Sequence, residues 1–77
     1  MTVEWMIDVL GWVGAGLLLL AYAMVSAERW RGGSFKFQSL NVAGSVLLIV
    51  NTVHYGAYPS AVVNAVWIGI AVYTLVR

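Results

Sequence analysis

Three long apolar stretches take up almost all of this chain, and only short polar breaks separate them. They run over about residues 5–26, 37–55 and 60–76. As helices rising ~1.5 Å per residue, they approach or exceed the reach needed to cross a ~30 Å hydrocarbon core. The second and third are near the short end of that range, which predicts a thin or little-tilted domain. A soluble fold is a poor alternative. Of the 77 residues 62% are hydrophobic and 9% charged, whereas soluble domains carry about 25% charged residues. So short a chain also has little interior in which to hide apolar surface. The expectation is an all-α membrane protein: a bundle of three transmembrane helices forming a single domain over residues 1–77, with the lipid bilayer as its main partner.

The breaks have helix-ending chemistry. Gly32-Gly33 interrupts the first loop, and Ser34 follows as a potential N-cap for the second helix. Gly56-Ala57-Tyr58-Pro59 reads as a tight turn, with Pro59 placed to open the third helix. Ala21-Tyr22-Ala23 resembles a signal-peptidase site. The acidic start, with Glu4 and Asp8, and the long apolar run argue instead for a retained span.

Charge position sets an expected orientation. All four Lys and Arg fall on one side: Arg29, Arg31 and Lys36 in the first loop, and Arg77 at the end. Glu4 and Asp8 lie on the other. Positive-inside bias puts the first loop and C-terminus in the cytoplasm and the N-terminus outside, in a multi-pass protein of a bacterial inner membrane. Trp5, Trp12, Tyr55 and Tyr58 are expected in the outer aromatic belt, with Trp30, Phe35 and Phe37 in the inner one. The net charge of +1 gives no reason to expect a nucleic-acid partner.

Polar side chains on membrane helices usually face the bundle interior or a cavity. At 100° per residue, Gln38, Asn41, Ser45, Asn51 and Thr52 share an arc of about 140° on the second helix, with Gly44 and Leu48. Ser60, Asn64, Trp67, Ala71 and Thr74 cluster on the third. Asp8, Gly11, Ala15, Leu19, Tyr22 and Ser26 share one face of the first. Gly11-x-x-x-Ala15 and Ala65-x-x-x-Gly69 are small-residue patterns that permit close helix approach.

Each candidate has two readings. Asn41, Asn51 and Asn64 either tie helices together or contact a solute. Trp67 either packs or offers a stacking face. Ser39, Ser45 and Thr74 fit packing better. His54 reads as interfacial, and Asp8 as an acid favoured by the helix N-terminus. With no Cys, one His, no paired carboxylates and no phosphate-binding loop, neither an enzyme nor a metal site nor a cofactor is expected.

Several motifs resemble the MtN3/PQ-loop superfamily, in particular the bacterial SemiSWEET half-transporters. These are Gly11-Trp12-Val13-Gly14-Ala15, Tyr55-Gly56 at the end of the second span, and Pro59-Ser60-Ala61-Val62-Val63-Asn64. The resemblance implies a SemiSWEET-like three-helix unit that dimerises to six helices around a sugar pathway, with Asn64 in the pocket. The family's Pro-Gln pair is missing: the equivalent region reads Ala23-Met24-Val25-Ser26, and Thr52 stands where its pocket Trp is expected. Gly-Trp-x-Gly-Ala together with Gln-x-x-Asn-x-x-Gly and Asn-x-x-Trp is also similar to a divergent, uncharacterised bacterial three-helix family.

The function expected is a homodimeric half-transporter that lets a small polar, uncharged, sugar-like solute cross. Asn64, Trp67, Asn41, Asn51 and Thr52 would line its site. The alternative is a non-transporting membrane protein that serves as an interaction partner or regulatory subunit.

Overall fold

The computed structural model describes residues 2–76. It is a three-helix all-α bundle, 84% helical, made of α1 (Val3–Ser26), α2 (Phe35–His54) and α3 (Tyr58–Val76). Each helix starts two residues ahead of its expected first position, and in α1 and α2 a capping hydroxyl supports the added turn. The Thr2 hydroxyl accepts from the Trp5 N–H at 3.2 Å. The Ser34 hydroxyl accepts from the Phe37 N–H at 3.2 Å, the expected cap. Pro59 is the second residue of α3, where its missing N–H has no intrahelical partner to lose.

The C-terminal stops differ. Gly56 takes φ 73°, and the Ala57 N–H reaches back to the Thr52 carbonyl at 2.7 Å. This is a Schellman-type ending in which glycine carries no Cβ penalty. α1 ends in a similar way without a glycine: Glu28 adopts φ 61°, and the Arg29 N–H reaches the Met24 carbonyl at 2.9 Å. The Gly32-Gly33 pair therefore lies beyond the stop. Its carbonyl role is to accept, at Gly32, a 2.9 Å hydrogen bond from Gln38 Nε2 that holds the loop against α2.

α2 packs against both α1 and α3, whereas α1 and α3 do not meet. The result is a layer measuring 38 × 22 × 16 Å with α2 in the middle. α1 and α2 touch most closely at two glycines: a Cβ on Gly14 would lie 2.8 Å from the Gly44 carbonyl oxygen, and one on Gly44 would lie 2.9 Å from that of Gly14. Buried positions are mostly small residues, among them Ala21, Ala61 and Ala71. Large apolar side chains such as Leu19, Leu20, Val62 and Val66 point outward. The Ala65-x-x-x-Gly69 pattern meets no helix of this chain, since nothing lies within 4 Å of a Cβ at Gly69.

α1 and α3 are each long and apolar enough to cross a membrane. α2 has the length but is less apolar, because Gln38, Asn41, Ser45, Asn51 and Thr52 interrupt it.

Candidate functional site

The layer leaves a groove between α1 and α2. Its half nearest the first loop is a depression of about 370 Å³. Leu18, Leu19 and Tyr22 of α1 form one wall, Phe37, Asn41 and Ser45 of α2 the floor, and Trp67 of α3 the far side. A second depression of about 270 Å³ lies toward the α2–α3 turn, between Asp8, Gly11, Trp12 and Ala15 of α1 and Leu48 and Asn51 of α2. The two belong to one face. Residues 8, 11, 12, 15, 18, 19 and 22 recur at intervals of three or four, as do 37, 41, 45, 48 and 51, so each set occupies an arc of about 120°. The depressions are thus two halves of one lane running along the helix pair.

Hydrogen bonds fix several of its side chains. Asn51 Nδ2 donates to the Ile7 carbonyl at 3.0 Å, tying α2 to α1. Gly11 makes room for that amide: a Cβ there would come within 2.5 Å of Asn51 Nδ2. Asn41 Nδ2 donates to Gln38 Oε1 across 3.4 Å. Among the described residues the side-chain oxygens of Asn41 and Asn51 accept nothing, and both residues are half-buried. Ser45 is fully buried at the floor.

At the turn end, the Tyr55 hydroxyl donates to Asp8 Oδ1 in a short hydrogen bond that links the end of α2 to the start of α1. His54 meets the Tyr55 ring edge-on, with centroids 5.0 Å apart. The described cations Arg29, Arg31 and Lys36 belong to the opposite end of the lane; Arg77 lies outside the described residues.

Of the five expected site residues, Asn41 and Trp67 come together at the loop-end depression. Asn51 lines the other half of the lane while serving as a helix tie. Thr52 donates to the Leu48 carbonyl of its own helix at 2.7 Å. Asn64 donates to the Ser60 carbonyl at 3.0 Å and borders a separate shallow depression with Pro59 and Val63. Asp8, Leu19 and Tyr22 complete the lane. The spacing that puts them on one α1 face was visible in the sequence, but which α2 residues that face would meet was not. No group of three or more metal-ligating side chains occurs among the described residues.

A protein-family model matches residues 7–77, nearly the whole chain. The chain belongs to that family. It is uncharacterised, so membership brings no assigned activity. No curated protein and no solved structure matches the chain.

Proposed function

We propose that the chain crosses a bacterial inner membrane three times and pairs with a second copy, groove to groove, to enclose a six-helix passage for a small polar solute. One observation supports this above the rest: Asp8, Asn51, Ser45 and Asn41 lie along a single lane that runs most of the length of α1 and α2. Amide oxygens without partners, and a carboxylate bonded only by Tyr55 among the described residues, are expensive to leave against hydrocarbon. A second identical face, with water or solute between, removes that cost. Polar sites between paired three-helix units are a common transporter arrangement. The clustering of Arg29, Arg31 and Lys36 supports a cytoplasmic first loop. The resemblance to the SemiSWEETs suggests the same pairing. The passage proposed here draws on Asn41, Asn51 and Trp67, not on Asn64, which is turned toward its own helix.

A second reading, a non-transporting partner subunit, is favoured by how many polar groups are already bonded within the chain. Gln38, Asn51, Thr52, Asn64 and Thr74 all donate to backbone carbonyls. Two measurements separate the readings. Cysteine at Leu19, on the groove wall, should cross-link two copies in lipid; the chain has no native cysteine to confuse the result. Proteoliposomes should take up glycerol or a tetritol faster than empty vesicles, and Ser45→Leu should abolish the difference. A monomer in lipid, or uptake equal to empty vesicles, would leave the partner reading.

A further inference from the structure

The turn-end half of the lane differs from the loop-end half in carrying a formal charge, and its lining is chemically specific. We propose that this depression binds a small primary organic ammonium ion, with Asp8 as counter-charge, Trp12 as a cation–π face and Asn51 as a hydrogen-bond acceptor. The inference rests on the reading of the lane as the solute-facing side, and it adds a cation site at this mouth.

The elements are positioned for the task. Tyr55 donates to one carboxylate oxygen and so fixes the orientation of Asp8. Among the described residues, nothing else bonds that carboxylate. Arg29, Arg31 and Lys36 are about 20 residues or more along the chain, at the far end of helices rising ~1.5 Å per residue, so no described cation neutralises it. A carboxylate several residues inside a membrane helix needs a cationic partner or water. The indole of Trp12 stands one helical turn from Asp8 in the same depression and is 81% exposed. An accessible indole face attracts an ammonium. Asn51 commits its Nδ2 to Ile7, which leaves Oδ1 to accept an N–H. Gly11, Ala15 and Leu48 supply a floor without polar atoms for a short alkyl body. The volume, about 270 Å³, suits a ligand of few heavy atoms.

The probe is n-butylammonium, with 1-butanol as its neutral counterpart. Binding is read by saturation-transfer NMR on protein in nanodiscs of zwitterionic lipid, with protein-free discs subtracted. Saturable binding of butylammonium and none of butanol is expected. Asp8→Asn should weaken it at least tenfold and Trp12→Leu about fivefold, while Trp12→Phe should stay within about threefold of the native chain. Far-UV circular dichroism of each variant separates loss of the site from loss of the fold. Absence of saturable binding by the folded native chain, equal binding of butanol, or an Asp8→Asn variant that binds normally would each overturn the assignment. Accessibility of cysteine at Ala15 to a water-soluble maleimide tests the underlying lane separately. Labelling without ammonium binding rejects the ligand class alone, whereas an unlabelled, lipid-sealed Ala15 position rejects the lane as well.

Discussion

Adding one methyl group at Gly14 should force α1 and α2 apart and destabilise the bundle. The new Cβ would sit 2.8 Å from the Gly44 carbonyl oxygen and 3.0 Å from Leu47 Cβ. Both atoms belong to or adjoin the α2 backbone and cannot rotate away, so the helices must move apart at their closest point. Overpacking of this kind costs roughly 1–3 kcal/mol. Better helix propensity of alanine returns about 1 kcal/mol, leaving a net loss of up to about 2 kcal/mol. Gly16 is the control, because nothing lies within 4 Å of a Cβ there. Gly16→Ala keeps the propensity gain without the clash and should be neutral or slightly stabilising. Reversible unfolding in mixed detergent micelles, followed by a fluorophore pair at the loop ends of α1 and α2, measures both. Equal stabilities for Gly14→Ala and Gly16→Ala would refute the claim that the Gly14–Gly44 contact sets the α1–α2 spacing.

Other consequences can be checked independently. Asn51→Val removes the tie to the Ile7 carbonyl and should lower stability by about 0.6–1.7 kcal/mol in the same assay; no change would mean that the tie contributes nothing. Gly56→Ala puts a side chain at φ 73° and should cost about 1–2 kcal/mol. Cysteine at Ser34 should be protected from an impermeant maleimide in intact cells and cysteine at Ala57 labelled; the reverse pattern would invert the proposed orientation.

Much of the architecture can be read from local chemistry. Ser34 and Pro59 mark helix starts and Gly56 a helix stop, because caps and left-handed turns depend on a few neighbouring residues. Glu28 is the exception. Glycine is the usual residue at φ 61°, and Gly32-Gly33 was the nearer signal, yet the chain turns four residues earlier. Backbone hydrogen bonds to Met24 and Val25 hold that turn, and such bonds carry no side-chain signature.

The site was legible only by halves. Helical periodicity alone placed Asp8, Gly11, Ala15, Leu19 and Tyr22 on one face of α1, and Asn41, Ser45 and Asn51 on one face of α2. It could not say that these faces adjoin, nor that Asn64 and Thr52 would satisfy their donors on their own helices. Those outcomes depend on the rotation of each helix about its axis, which is fixed by contacts between residues far apart in sequence. Here the Gly14–Gly44 approach and the Asn51–Ile7 bond set the α1–α2 register, and the separation of α1 from α3 leaves the lane open. The sequence by itself therefore determined three apolar helices, their ends and the polar stripe on each. Only the tertiary structure decided which stripes face one another, because that choice is made by long-range packing.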